Sequence, residues 1–157
     1  MGLFSDITSG STPEPFTGNR WPRILTSMDI NFSTDSDGDH LAEWDDMRVW
    51  FEGCGSRGEI MVMRAIWGLR PPHEAFDAIL HHLNDWNANT FWPRAFVHRL
   101  EKHLVVIGDH NINMETGIDD EFLRQQVTCM LAATSRLFEQ LAEAFPESKR
   151  WMNATNR

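Results

Sequence analysis

Apolar residues along this chain recur at two spacings, three-to-four and two, and the switches between them predict its elements. Trp21, Ile24, Leu25 and Met28 fall on one helical face, which predicts a short helix over residues 17–28 with Thr17 as its candidate cap. Residues 31–34 read as a strand. Asp37-Gly38 reads as the hairpin turn after it, because both residue types tolerate positive φ. Residues 41–51 alternate, with Leu41, Met47, Val49 and Phe51 facing one way and Trp44, Arg48 and Trp50 the other. A Gly-rich loop at 53–58 closes a second hairpin. Residues 60–69 are the most β-like run, setting Met61, Met63, Ala65 and Trp67 against Ile60, Val62 and Ile66. An apolar load on both faces predicts a central strand covered on each side.

Pro71-Pro72 opens a second helix, whose stripe runs through Ala75, Phe76, Ile79, Leu80, Leu83 and Trp86 until Asn87-Ala88-Asn89 ends it. Strands at 92–100 and 104–114 follow, joined by Glu101-Lys102-His103. The last element is a long helix. Asp119 caps it, Ile118 and Leu123 stand in staple positions, and Asp120 and Glu121 favour the positive end of the dipole. Its stripe runs from Phe122 and Leu123 to Leu141 and Phe145, and Pro146 stops it. The predicted order is α-β-β-β-α-β-β-α, an α+β fold of five mostly antiparallel strands with helices packed on the sheet. Residues 1–16, rich in Ser, Thr, Gly and Pro, read as a disordered N-terminal arm, 17–146 as the folded domain and 147–157 as a polar C-terminal tail.

Composition narrows the function more than it names one. At 157 residues the chain has the size of one domain, 41% hydrophobic and 24% charged. Such a domain buries roughly 68–70% of its unfolded surface and needs neither disulfides nor metal. Seven Trp, ten Phe and eight Met form a heavy apolar load, enough for a core and some of a partner-binding face. A net charge of −9 argues against nucleic acid, whose binding requires a basic surface that releases counterions. No apolar run approaches a membrane span, and no apolar core marks a signal peptide near residue 1, so the reading is cytoplasmic. Cys54 and Cys129 lack metal-site spacing and fit a reducing compartment.

Several constellations invite chemistry and fall short of it. Asp35, Asp37 and Asp39 begin like a calcium loop, but Gly38 falls at its fourth position rather than its sixth, and Asp46 stands where a bidentate Glu is needed. Asp77, His81 and Asp85 recur at i, i+4, i+8 on one helix face, and this is the candidate metal or small-molecule site; no HExxH or CxxC accompanies it. His98, His103 and His110 cluster around the last hairpin, where His98 could approach His110, but the reading preferred for them is a surface hairpin. Gly53-Cys54-Gly55-Ser56-Arg57-Gly58 joins two strands rather than opening a helix, unlike a phosphate loop. No nucleophile elbow is present. Neither catalytic nor cofactor residues are assigned, and the chain reads as a non-enzyme.

The Asp35-x-Asp37-Gly38 turn, the helix end Leu83-Asn84-Asp85-Trp86-Asn87, the entry Pro93-Arg94-Ala95, the stretch Met114-Glu115-Thr116-Gly117-Ile118 and Leu137-Phe138-Glu139-Gln140-Leu141, in that order, resemble the YbjN family of bacterial proteins. The likeness covers about residues 17–146. It implies a curved antiparallel sheet flanked by helices, similar to type III secretion chaperones and commonly dimeric, and a role in sensory transduction. The expected function is therefore a regulatory or protein-interaction module acting as a homodimer through a sheet face or edge strand. Trp44, Arg48 and Trp50 are its candidate partner-binding residues, since aromatic and Arg side chains on an uncovered strand face are typical of binding hot spots. The alternative is a metal or small-molecule domain built on the His/Asp helix face.

Overall fold

The computed structural model describes residues 13–150. Its strands are β1 (Ser33–Thr34), β2 (His40–Glu43), β3 (Met47–Cys54), β4 (Ile60–Trp67), β5 (Leu69–Arg70), β6 (Arg94–Arg99), β7 (Leu104–Asn113) and β8 (Lys149–Arg150). Its helices are α1 (Trp21–Ser27), α2 (Phe76–Asn89) and α3 (Asp120–Ala144). Six strands form one antiparallel sheet in the order β1-β2-β3-β4-β7-β6, and β5 and β8 pair separately. The α+β class and the antiparallel pairing agree with the hydrophobic pattern, and β4 is indeed central.

The main sheet has six strands rather than five for one local reason. Residues 41–51 are a hairpin, because the Trp44 amide bonds the Met47 carbonyl at 2.8 Å and turns the chain at Asp45-Asp46. The Gly68 amide donates to the Asp46 carbonyl and holds the turn down. Neither aspartate takes the left-handed backbone that advertises a tight hairpin in a sequence; among described non-Gly residues only Asp29 has positive φ. The turn also reassigns faces. Leu41 pairs with Trp50, so it lies on Trp50's side of the sheet, away from Met47 and Val49.

One face of this sheet carries all three helices. Met47, Val49 and Phe51 of β3, Met61, Met63, Ala65 and Trp67 of β4 and Val106 of β7 join the buried residues of α1, α2 and α3 in a single core. Trp67 stacks on Phe138 of α3, and Trp21 of α1 meets Phe51 edge-on at 5.1 Å. The Trp21 indole also donates to the Glu52 carbonyl at 3.0 Å, which pins α1 across β3. That approach is close because a Cβ on Gly53 would lie 2.6 Å from the Gly18 nitrogen. As expected, Asp119 caps α3, accepting from the Phe122 amide at 2.7 Å. Thr17, by contrast, makes no capping bond; a 3-10 turn at Gly18–Arg20 leads into α1 instead. Arg20 is buried, bonding the Glu14 and Ile118 carbonyls and pairing with Asp120 at 2.5 Å. Phe122 and Leu80, placed in apolar stripes by their spacing, are exposed.

Both chain ends of the expected domain extend further than the polarity of those stretches implies. Phe16, read as the end of an arm, is 1% exposed, and Glu14 bridges Ile118. Lys149–Arg150, read as tail, pairs with Leu69–Arg70. The rest of the N-terminal arm, with Trp151, Met152 and the remaining tail, lies outside the described residues. The substitution Gly53→Ala is expected to destabilise the fold by about 1–3 kcal/mol through overpacking on Gly18. Urea unfolding checks this: the midpoint falls while the slope is unchanged.

Candidate functional site: the helix-free face of the sheet

Directly paired residues in an antiparallel sheet project to the same side. One row of the second face therefore reads Leu41, Trp50, Arg64, Asp109, Arg94, and the next reads Glu43, Arg48, Ile66, Ile107, Phe96. Glu52 and Val62 make a third pair beside them. Val62 and Ile107 are only 4% and 9% exposed, yet neither joins the helix-side core. Leu41, Trp50, Ile60, Ile66, Val105 and Phe96 are half-buried and also outside it. Among the described residues no helix covers them, so the second apolar face of β4, expected to be covered like the first, lacks a helix there.

The charges of this face are paired within it. Arg48 meets Glu43 at 2.5 Å, Arg64 meets Glu52 at 3.3 Å, and Arg94 grips Asp109 with two bonds of 2.9 and 2.6 Å. Asp109 is 3% exposed and also accepts from Asn111, so its carboxylate is compensated despite burial. Burial pushes the Glu52 carboxyl above the ordinary range, against the pull of Arg64. Three bases and three acids leave the face neutral on a chain of net charge −9.

Of the three residues singled out from the sequence, Arg48 and Trp50 lie side by side on this face. Trp44 does not: the hairpin turn takes it away, and it packs against the helix-side core. The edge-strand option is narrowed at β6, where the Asn87 side chain of α2 accepts from the Ala95 amide and donates to its carbonyl. Leu41, Ile66, Ile107 and Phe96 belong to the face and were not foreseen. Their signal was the double apolar load of residues 60–69. Phe91, 95% exposed and next to Trp92 before β6, likewise escaped notice.

The remaining candidates disperse. Asp77, His81 and Asp85 lie on the exposed side of α2, and among the described residues no three metal-ligating side chains gather. His98 and His110 sit on opposite faces, since His98 pairs with Val105 while Asp109, not His110, shares the side of Arg94; His110 meets Gln126 instead. The Asp35 carboxylate accepts the amides of Asp37 and Asp39, stabilising the turn itself. Burial, then Glu52, raises the Cys54 thiol above its ordinary range, which disfavours the nucleophilic thiolate. No described helix is long and apolar enough to cross a membrane.

An antiparallel sheet with every described helix on one face and a surface of paired charges and apolar side chains on the other defines a class of open-faced α+β scaffold. The comparisons give the family. The sequence profile of the YbjN family, described as "Putative bacterial sensory transduction regulator", matches residues 23–143, and the chain belongs to that family. A solved structure titled "Crystal structure of YbjN, a putative transcription regulator from E. coli" superposes with a TM-score of 0.75 at 11% identity. It covers 89% of this chain and 100% of that one, so the two share a fold. A search of curated proteins finds no match.

Glu52 supplies a test of the face's electrostatics. Its folded pKa is raised above 4.5, so the folded state binds its proton more tightly and stability falls as pH rises through that interval. Glu52→Gln is therefore expected to be more stable than wild type at pH 7 and to converge with it below pH 4.5, measured as thermal midpoints across pH.

Proposed function

We propose that this chain is a non-enzymatic regulatory module that works as a homodimer, with a second copy seated on the helix-free sheet face. The carrying observation is that face, whose two adjacent rows set Leu41, Trp50, Ile66, Ile107 and Phe96 among charged side chains that pair with one another and leave no net charge. Two chains of charge −9 repel one another, and a neutral patch is where that repulsion is least. Arg48–Glu43 and Arg64–Glu52 also allow partners to be exchanged across a two-fold axis, where the same patch meets itself. The area is adequate. Five strands about 4.8 Å apart and about seven residues long project to roughly 550 Å², before side-chain relief is added. A standard interface takes about 800 Å² of accessible surface per partner.

The regulatory part of the reading rests on the family description. With 23 acids against 14 bases, the chain lacks the extended basic surface that a nucleic-acid duplex requires, so regulation is exerted through protein contact. Likeness to the type III secretion chaperone fold, commonly dimeric, belongs to the same reading. No catalytic constellation lines the face, and its charged groups neutralise one another rather than stand poised for proton transfer.

Light scattering at 100 µM is expected to return twice the 18.2 kDa chain mass. Trp50→Glu and Ile66→Asp are each expected to return a monomer with unchanged circular dichroism. A wild-type monomer at that concentration, or a dimer untouched by both substitutions, removes the proposal.

A further inference from the structure

Away from the sheet face, the chain gathers positive charge in one place. A cleft of about 490 Å³ is lined by Arg70, Pro71, Pro72, Lys102, His103, Glu147, Lys149 and Arg150. Three separate stretches build it: the end of β5, the β6–β7 turn and the residues after α3. Lys102 and Lys149 are the only lysines in the sequence, and both point to this cleft. Among the described residues neither forms an ion pair. Glu147 is the one acid in the lining.

A second feature is independent of the charge count. The Nε2 atoms of His103 and of neighbouring His73 are buried without a hydrogen-bond partner. Burial, then Arg70 and His73, pulls the His103 imidazole below its ordinary range, so it is neutral in the free protein. Lys102 and Lys149 share this cleft with the unsatisfied His103 imidazole and form no ion pair among the described residues, on a chain whose excess acid had ample residues to supply one. The arrangement is complete only with an anion present.

We infer that this cleft is a binding site for a small phosphate-bearing molecule, held by Arg70, Lys102, Lys149 and Arg150 with His103 as a further hydrogen-bonding group. A multiply charged group suits the two lysines together, where a monocarboxylate would compensate only one of them. The cleft's size admits a phosphorylated small molecule and not a duplex. Lys149 and Arg150 reach it while β8 stays paired with β5, so an occupant also fastens the end of the chain to the sheet. The cleft shares no residue with the helix-free face, and the proposal stands independently of the dimer.

The test is a calorimetric titration of the full chain at low ionic strength with pyrophosphate, and with acetate as the monoanion. Pyrophosphate is expected to bind and acetate not. Lys102→Gln/Lys149→Gln is expected to weaken pyrophosphate binding by about tenfold or more. A control removing equal charge from α3, Arg124→Gln/Arg136→Gln, is expected to leave it within about twofold. Should the double variant fold poorly, histidine NMR on the wild type gives the answer: His103 resonances shift on adding pyrophosphate, and its titration moves to higher pH. No binding at millimolar pyrophosphate, equal binding of acetate, an equal loss in the control, or a silent His103 each overturns the proposal.

Discussion

Strand β4 imposes the constraint on which the architecture turns. It is apolar on both faces, central in the sheet, and supported by helices on one side only. Met61, Met63, Ala65 and Trp67 are satisfied by α1 and α3, while Val62 and Ile66 must find cover among their strand neighbours. Fully burying an aliphatic or aromatic side chain contributes about 1.5–3 kcal/mol. The half-buried Trp50, Ile66 and Phe96, in two adjacent rows, therefore leave a few kcal/mol available to whatever closes over them. The ion pairs within the face prevent that closure from stranding a charge.

The other features of the fold keep this side open and shaped. The Gly18–Gly53 approach lets α1 lie flat across β3, and the Trp21 bond to the Glu52 carbonyl fixes it there. Arg20 ties the start of α1 to Asp120 at the start of α3, gathering both helices onto one face. Burial raises the Asp120 carboxyl, but bonds from Arg20 and Arg23 outweigh that and hold it below the ordinary range. At the β6 edge, Asn87 occupies the outward backbone groups of Ala95, which directs association toward the face rather than the rim.

Much of this was legible from residue spacing. The caps, stripe and stop of α3 and the central place of β4 follow from local chemistry, because long periodic elements with explicit punctuation leave few alternatives. The hairpin at Asp45-Asp46 was not legible, since it carries no Gly or Asn and is held by Gly68 from outside. That one turn displaced Trp44 from the candidate site and added Leu41 to it. The docking of Phe16 depends on contacts about 100 residues apart and the β5–β8 pair on contacts about 80 apart, which no local pattern records. The site was half visible. Two apolar faces on residues 60–69 announced two contacts, but only the arrangement of the helices shows that one of them is unmet among the described residues.

Hydroxyl-radical footprinting of the wild-type protein across a dilution series addresses the central claim most directly. Trp50, Ile66 and Phe96 are predicted to be protected at high concentration and to oxidise on dilution, while Phe91, 95% exposed, reacts throughout. Equal oxidation of Trp50 and Ile66 at every concentration would show that the helix-free face stays bare, and would contradict the account.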